Sequence, residues 1–301
     1  MGYNSRNSGP KNYSFVRFPE KPYVKYITSL AKRNDASETR YSGYLELEIK
    51  TIDYLHIGSG FSRLDNRKLI SEVSRTEQTL IIPGSSLKGA VRQICRATSD
   101  GCIPYEDGVR LTSNQKAKCS LKKEDFHCCI VCDMFGGMSL GSKLRFTDLT
   151  AEKGRTESIP VRVQFSPKAN TSSYQDDFHH TIGYKFYYTI CDIEDCDTED
   201  VEAVSKDIIF KGKIYFKWLD KKELCLLAHA LGLAKNFSMK LGGYKNDGLG
   251  TVETKCVKMI VNGKEEDAVS YAENYLKEYA KEVSGQIDDL KSIMEYQGGT
   301  E

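Results

Sequence analysis

Hydrophobic and charged residues alternate along two long segments of the chain, which is the pattern of a half-buried β-strand. In YLELEIK, which begins at Tyr44, the apolar side chains of Leu45, Leu47 and Ile49 alternate with charged ones. The segment DIIFKGKIYFKWL, residues 207–219, repeats this alternation with aromatic and aliphatic residues set against lysines. Because successive side chains of a strand point to opposite faces, both segments are predicted to be strands with one face in the core.

Other segments are predicted to be shorter strands, helices or a loop. One helix is expected from Ser85 to about residue 97, and another after Asp220, which forms a capping-box pattern with Glu223. HIGSGFSRLDNRK, residues 56–68, is rich in glycine and charge and is predicted to be a loop. The amphipathic pattern from about residue 265 to 296 predicts a pair of helices. The shorter strands are residues 79–83, 143–150, 159–167, 183–193 and 251–261.

The order of these elements predicts the fold class. It reads strand, helix, strands, strand, helix, strand, which is the order of a ferredoxin-like (RRM-like) βαββαβ unit with insertions, an α+β fold. Residues 1–40 are polar and rich in turns, and we interpret them as an arm or lead-in strand. Residues 98–142 have neither helical nor strand periodicity and are predicted to be an insertion. RNA-binding modules often use the open face of such a sheet.

Composition and charge restrict the partners without identifying one. The chain has 301 residues, with 43 basic and 42 acidic side chains and a net charge of +1. A nucleic acid would therefore be held by a local basic surface, because the average field is close to neutral. No apolar run approaches the length of a membrane span, and the first residues lack the apolar core of a signal peptide. We expect a soluble, cytoplasmic protein with no membrane partner.

Cysteines cluster in the predicted insertion. Five of the ten cysteines lie within residues 102–132, a density that favours metal binding over disulfides. Cys129 and Cys132 form a C-x-x-C pair, and Cys102 and Cys119 lie upstream as further ligands for a structural, tetrahedral zinc. Two neighbouring residues, His127 and Cys128, are alternative ligands at this stage. A thioredoxin-like redox pair is less well supported, because the expected βαβ context is missing.

The stretch IPGSSLKGAVR, residues 82–92, places polar and small residues at the start of the first helix. A helix N-terminus carries unpaired N–H groups and a partial positive charge, and therefore attracts anions. Serine hydroxyls and a close backbone approach would strengthen such a site, and two basic side chains lie on adjacent turns. Simple N-capping by a serine is an equally good interpretation of this stretch alone. The residues in question are Ser85, Ser86, Lys88, Gly89 and Arg92.

A second candidate site is the glycine loop LGGYKNDGLG, residues 241–250, between a helix and a strand. Gly242, Gly243 and Gly248 would allow a phosphate to come close to the backbone, and Lys245 would supply a charge. A glycine-rich hairpin without a ligand is the alternative, and it is the better interpretation of this loop in isolation. The two segments support each other if they converge on one groove, which is what we expect in this fold.

Two single residues have open roles. His56, in LHIGSG, either contacts RNA or closes the end of a strand, and the second role is the commoner one for a lone histidine. Asp65, in RLDNRK, either acts on a phosphodiester or serves as a turn residue, since Asp-Asn favours turns.

These residues together resemble a known family. IPGSSLKGAVR, then CIVCDMFGG followed by LRFTD, and then LGGYKNDGLG resemble, in that order, the signature elements of the RAMP superfamily. The lead-in NYSFVRFPEKP and LHIGSG are similar to the openings of backbone subunits from type III CRISPR complexes. The resemblance covers roughly residues 12–257. It implies a ferredoxin-like palm that stacks head to tail along a CRISPR guide RNA, with a thumb-like hairpin that kinks the RNA between segments.

The resemblance also implies roles for individual residues. Ser85, Ser86, Lys88 and Arg92 would hold the guide backbone, the glycine loop would face its phosphates, and His56 would lie near the kinked nucleotide. The cysteine insertion resembles the zinc-binding knuckle of type III-D-like members. The layout implied is a single RAMP domain over residues 1–301, with an arm (1–43), a palm (44–260), a thumb or loop (about 61–80), a zinc knuckle (98–142) and a helical tail (261–301).

The resemblance leaves the catalytic role open. In type III backbone subunits the aspartate that cuts target RNA follows the HIG strand, and Asp65-Asn66 matches that beginning, whereas Arg67 and Lys68 depart from it. The leading function is a guide-RNA-binding backbone subunit whose partners are complementary target RNA, copies of itself and other effector subunits. One alternative is a target-RNA endoribonuclease that uses Asp65 with a metal such as Mg²⁺. Others are a non-catalytic backbone working with a separate nuclease, and a terminal cap subunit at one end of the guide.

Overall fold

The computed structural model describes residues 12–19, 33, 35, 39–65, 67–103, 111, 119–120, 122, 125–137, 139–163, 175–189 and 197–298. Over these residues the chain is an α+β protein with mixed sheets and five α-helices. The helices are α1 (Gly84–Ala97), α2 (Ile130–Phe135), α3 (Lys221–Ala230), α4 (Ala268–Asn274) and α5 (Ser284–Ile293). The strands are β1 (Tyr13–Arg17), β2 (Tyr41–Thr51), β3 (Gly58–Asp65), β4 (Lys68–Val73), β5 (Arg75–Thr76), β6 (Thr79–Ile82), β7 (Leu144–Phe146), β8 (Leu149–Thr150), β9 (Thr156–Arg162), β10 (Gly183–Tyr187), β11 (Thr198–Val204), β12 (Ile209–Leu219), β13 (Met239–Lys240), β14 (Thr251–Val261) and β15 (Lys264–Glu265).

The main sheet contains both of the strands predicted from alternation. Its strand order is β13-β14-β2-β12-β8-β6-β5, and β7 pairs with β12 beside β8. Strand β2 pairs antiparallel with β12 on one side and with β14 on the other. Leu45, Leu47 and Ile49 are buried, while the charged residues between them are only partly covered. The alternation therefore predicted the buried face of β2 correctly.

Helices α1 and α3 contact each other and supply much of the apolar core. Helix α3 begins with the predicted capping box, in which the Asp220 carboxylate accepts from the Glu223 N–H and the Glu223 carboxylate accepts from the Asp220 N–H. The predicted pair of tail helices is also present as α4 and α5, separated by a π-helical turn at Tyr275–Tyr279. None of the helices in the described part of the chain is long and apolar enough to cross a bilayer.

The predicted strands in the insertions are shorter than expected. Strand β9 ends at Arg162 and β10 at Tyr187, and residues 164–167 and 190–193 of the two predictions lie outside the described residues. Strand β1 of the predicted arm pairs antiparallel with β10 in a separate two-stranded sheet. Residues 1–11 and 20–32 of that arm also lie outside the described residues, as do 104–110 and 112–118 of the cysteine insertion.

The loop predicted at residues 56–68 is instead one arm of a β-hairpin. Strands β3 and β4 pair antiparallel and join a second sheet in the order β3-β4-β11-β9. Three of the hairpin's large apolar side chains, Phe61, Leu64 and Leu69, remain exposed. Glycines and charges dominate the segment, so its strand character comes from pairing with β4 rather than from an alternating pattern of burial.

A buried carboxylate fixes the hairpin against β9 and β11. Glu202 accepts hydrogen bonds from the Val73 N–H at 3.1 Å, from the Thr156 hydroxyl at 2.8 Å, and from the guanidinium groups of Arg75 and Arg63. Burial, the largest influence, raises the pKa of Glu202, but Arg75, Thr156 and the Val73 amide outweigh it and lower the pKa to about 2. The base of the hairpin is therefore held rigidly by an ionised, fully satisfied side chain.

The core contains a histidine that stays neutral in the folded state at ordinary pH. His229 is fully buried and stacks on Tyr275 at 5.0 Å, and neither ring nitrogen has a hydrogen-bond partner among the described residues. Burial, followed by the charge of Lys291, lowers the pKa of His229 from 6.5 to about 3. In the unfolded chain the His229 side chain binds a proton below about pH 6.5. Its contribution to the free energy of unfolding is therefore complete above that pH and is lost as the pH falls toward 3.

We expect His229→Phe to remove this acid sensitivity. Between pH 7 and pH 5 the free energy of unfolding of the variant should fall by about 2 kcal/mol less than that of the unchanged protein. Urea unfolding at the two pH values measures the difference, and any constant effect of the larger phenyl ring cancels. An equal loss in both proteins would show that His229 is not the group responsible.

Candidate nucleic-acid interface and metal centre

The two segments singled out in the sequence line the same cavity. It has a volume of about 470 Å³ and lies between the first turns of α1 and the glycine loop. This juxtaposition agrees with the expectation that the two segments converge on one groove. From the predicted set, the cavity is lined by Ser85, Ser86, Gly89, Gly242, Gly243 and Lys245.

Helix α1 begins differently from either sequence interpretation. Its N-cap is Pro83, which makes no side-chain cap, and the Gly84 N–H donates to the Asp148 carboxylate at 2.8 Å. Serine capping is therefore wrong, and Ser85 and Ser86 are left at the cavity wall. Because Asp148 already occupies the first amide, the helix end attracts an anion less strongly than an uncapped terminus would. The serine hydroxyls are the groups that remain for a ligand.

Two basic residues of the predicted set lie on another side of α1. Lys88 Nζ donates to the Ser142 hydroxyl at 2.9 Å, and Arg92 donates to the Gly136 carbonyl at 3.0 Å. The Arg92 guanidinium also lies 5.9 Å from the centre of the Phe135 ring. These contacts tie α1 to α2 and the segment after it, so neither residue lines the cavity. The sequence analysis grouped Lys88 and Arg92 with the serines in one site, but only the serines line the cavity. Sequence spacing alone does not show which side of the helix faces the cavity.

Two lysines that the sequence analysis missed complete the cavity wall. Lys240 precedes the glycine loop, and Lys185 lies on β10 with its Nζ 3.9 Å from the centre of the Tyr13 ring. Burial, followed by the charge of Lys240, lowers the pKa of Lys245 to about 8, and Lys245 Nζ donates to the Gly242 carbonyl. The charges of Lys240 and Lys245 repel each other on this wall, and a bound anion would relieve that repulsion.

The glycine loop is held in place by hydrogen bonds to its neighbours. The Gly243 N–H donates to the His56 carbonyl at 2.8 Å, and Arg162 donates to the Asp247 carboxylate. Gly242 has φ of +78°, and a Cβ there would lie 2.1 Å from the His56 carbonyl oxygen. Gly248 is left-handed and ends the short 3₁₀ turn at Lys245–Asp247, so it shapes the loop without lining the cavity.

His56 packs against the glycine loop and holds it in position. It is 4% exposed, its Nδ1 lies 2.6 Å from the Glu202 carbonyl oxygen, and its ring packs edge to face against Tyr244 at 5.2 Å. Of the two roles considered from sequence, the structural one matches this geometry, while the RNA contact stays a prediction.

Asp65 lies at the tip of the hairpin. It pairs with Lys68 across a tight turn in which Arg67 is left-handed with φ of +65°. The base of β3, at Gly58, lines the cavity, and seven residues of extended chain place Asp65 roughly 20 Å further along. Within the described residues, Asp65 belongs to no group of three or more potential metal ligands. Its position is that of a turn residue.

The four cysteines predicted to bind metal come together. The Sγ atoms of Cys102, Cys119, Cys129 and Cys132 all lie within 4.8 Å of one another, and those of Cys102 and Cys132 are 3.7 Å apart. Tetrahedral zinc with Zn–S bonds of about 2.3 Å requires S···S separations of about 3.8 Å, so the donor set and its spacing suit zinc. The two alternatives, His127 and Cys128, are outside this group.

Backbone amides orient the cysteine cluster. The Cys129 N–H donates to Cys119 Sγ at 3.1 Å, and the Cys132 N–H donates to Cys129 Sγ, which caps the N-terminus of α2. Hydrogen bonds from the other cysteine side chains, that of Cys102 foremost, hold the pKa of Cys129 well below its usual range, and the pKa of Cys132 is also lowered. The pKa values of Cys102 and Cys119 are raised instead, so two of the four thiols are shifted toward the thiolate form that binds a metal and two are shifted away from it.

A buried ion network anchors the cluster to the main core. Lys143 Nζ donates to Asp133 at 2.5 Å and to both carboxylate oxygens of Glu223 at 3.1 and 3.0 Å. Arg33 pairs with the other side of Asp133. All members except Arg33 are buried, and Glu223 also caps α3. Nothing in the sequence pattern around these residues signalled the network, because its members are far apart along the chain.

Comparison with known proteins gives one family. Residues 48–253 match the model of the RAMP superfamily. No curated protein matches the chain. The matched region covers most of the chain and includes β3, β4, α1, the cysteine cluster and nearly all of the glycine-loop surroundings described above. The chain therefore belongs to the RAMP superfamily.

Proposed function

We propose that this protein is a guide-RNA-binding backbone subunit of a CRISPR effector complex. Membership of the RAMP superfamily fits CRISPR-associated proteins in general. The observation that carries the more specific role is the cavity shared by the start of α1 and the glycine loop, with Lys185, Lys240 and Lys245 on its wall. Complementary target RNA, further copies of the chain and other effector subunits would be its partners.

The strand order supports a ferredoxin-like palm for this subunit. In the main sheet β14, β2, β12 and β8 are neighbours, and β2 pairs antiparallel with both β14 and β12. Helix α1 lies between β2 and β7 along the chain, and α3 lies between β12 and β14. In the proposed palm, β14, β2, β12 and β8 would be the fourth, first, third and second strands of a βαββαβ unit. The hairpin of β3 and β4 is an insertion before α1 and is the candidate thumb.

The groups on the cavity wall suit binding without base discrimination. Lysines and serine hydroxyls recognise phosphate and ribose oxygens, and glycines let the RNA backbone approach closely. Sequence reading would then be left to pairing between guide and target, as in RNA-guided systems generally. Zinc at the four cysteines would have a structural role, holding α2 and the segment that contacts α1. Asp65 lies at the turn of the hairpin, away from the cavity, and cleavage of target RNA through Asp65 stays the alternative function.

Replacing two cavity lysines should abolish RNA copurification. When the protein is expressed with a guide array, Lys185→Met together with Lys240→Met should reduce bound RNA at least tenfold, since both residues line the cavity. Loss of two phosphate contacts should also lower the slope of log affinity against log salt by roughly 1.4. The matched control is Lys264→Met with Lys277→Met, which changes the same net charge at two exposed sites.

Two outcomes would decide against the function. Equal RNA yield from the cavity variant and the control, with both folded, would remove the cavity from RNA binding. A native mass that contains one copy of the chain per complex would favour the terminal cap subunit, since a backbone subunit repeats along the guide.

A further inference from the structure

A second cavity, separate from the first, lies where the arm, the end of α1 and the tail meet. It has a volume of about 320 Å³ and shares no lining residue with the cavity described above. Arg17 lines it from the end of β1, Arg96 from the last turn of α1 and Tyr184 from β10. Val283 and Gln286, at the start of α5, close the opposite side. A pocket of this size accommodates a small polar ligand.

Two hydrogen-bond donors on its wall have no acceptor among the described residues. Tyr184 is 7% exposed, and its buried hydroxyl has no hydrogen-bond partner among the described residues. The same holds for the buried Nε–H of Arg96. An unpaired buried donor destabilises the folded protein, so two of them in one cavity indicate a missing acceptor. Burial raises the pKa of Tyr184, against the influence of Arg96, and so keeps the hydroxyl a donor at neutral pH.

The charges around the cavity favour an anion. Arg17 and Arg96 are cationic, and the first turn of α5 lines the cavity without a side-chain cap at its N-terminus. Two acids also line it. Asp100 is already held by Lys222, whose Nζ lies 2.9 and 3.0 Å from its two carboxylate oxygens, and Glu282 is exposed. Among the described residues, the groups without a partner are therefore the Tyr184 hydroxyl and the Arg96 Nε–H.

We infer that this cavity binds a phosphate group. Its oxygens would accept from the Tyr184 hydroxyl and the Arg96 Nε–H, while Arg17 and the start of α5 balance its charge. The group would come either from free phosphate or from the terminal phosphate of an RNA strand. Bound there, it would join the arm, α1 and the tail beside Cys102, and its binding is independent of the RNA-binding groove.

Phosphate titration of the full-length protein tests this site. Inorganic phosphate should raise the thermal midpoint of the unchanged protein, and Tyr184→Phe and Arg96→Met should each weaken phosphate binding about tenfold. In phosphate-free buffer Tyr184→Phe should be as stable as the unchanged protein or more stable, because it removes an unpaired hydroxyl. Tyr271→Phe, which removes a hydroxyl from α4, should leave phosphate binding unchanged.

Paired oligonucleotides distinguish the two sources of phosphate. Tighter binding of a 5′-phosphorylated RNA than of the same RNA with a 5′-hydroxyl, lost in Tyr184→Phe, would assign the site to an RNA end. Binding of inorganic phosphate without that discrimination would assign it to the free ion. A phosphate response that is absent, or that is unaltered by both Tyr184→Phe and Arg96→Met, would overturn the inference.

Discussion

Cys129→Ser should remove the bound metal and unfold the region around the cysteine cluster. We expect about one zinc per chain in the unchanged protein and almost none in the variant, because Cys129 contributes one of four clustered thiols and also caps α2. Zinc sites of this type contribute roughly 10 kcal/mol or more of apparent binding energy, so the loss of stability should be large. Metal analysis of the purified protein and its thermal midpoint measure the two effects.

Cys128→Ser is the matched control for this prediction. Cys128 is also buried and is the immediate neighbour of Cys129, but its thiol lies outside the cluster. The control should keep its zinc, with at most a modest loss of stability from a polar atom in the core. A folded, metal-free protein, or equal loss of zinc from both variants, would refute the ligand assignment.

The cysteine cluster and the groove are connected through α1. Lys88 and Arg92 donate to Ser142 and to the Gly136 carbonyl, both of which follow α2. Lys143 then joins the same segment to the N-terminus of α3. Loss of metal should therefore disturb the position of α1, and with it the serines on the cavity wall. The two basic residues first assigned to RNA instead hold the helix that carries the serines.

The features that could be predicted from sequence are those that depend on local pattern. Alternation identified β2 and its buried face, the Asp220 and Glu223 spacing identified the start of α3, and the C-x-x-C pair identified two members of the cysteine cluster. Each signal lies within a few residues of the feature it predicts.

The features that could not be predicted depend on residues that are distant in sequence. Asp148, from the loop between β7 and β8, caps α1, and no pattern near Ser85 indicates that it does. Glu202 fixes the hairpin through residues more than a hundred positions away. The side of α1 that faces the cavity depends on the rotation of the helix, which is set by packing against α3 and β7. The residue types in the sequence indicated which segments line the cavity, whereas the side of α1 that faces it could be seen only in the tertiary structure.

Alanine substitutions at three glycines separate folding from RNA binding. Gly242→Ala should destabilise the protein by about 3 kcal/mol or more, because it is left-handed and its new Cβ would lie 2.1 Å from the His56 carbonyl oxygen. Gly243→Ala has ordinary van der Waals room, with its nearest neighbour at 3.5 Å, and should leave stability almost unchanged. Urea unfolding of each variant measures these effects.

Gly89→Ala separates stability from RNA binding most clearly, because we expect it to increase the first and to weaken the second. Nothing lies within 4 Å of the new Cβ, and alanine favours the helical conformation, so the protein should gain up to about 1 kcal/mol of stability. The added methyl stands on the cavity wall, as does that of Gly243→Ala, and both should weaken RNA binding if the RNA backbone approaches there. Unaltered RNA affinity in both stable variants would mean that RNA does not approach this wall, whatever the lysines contribute.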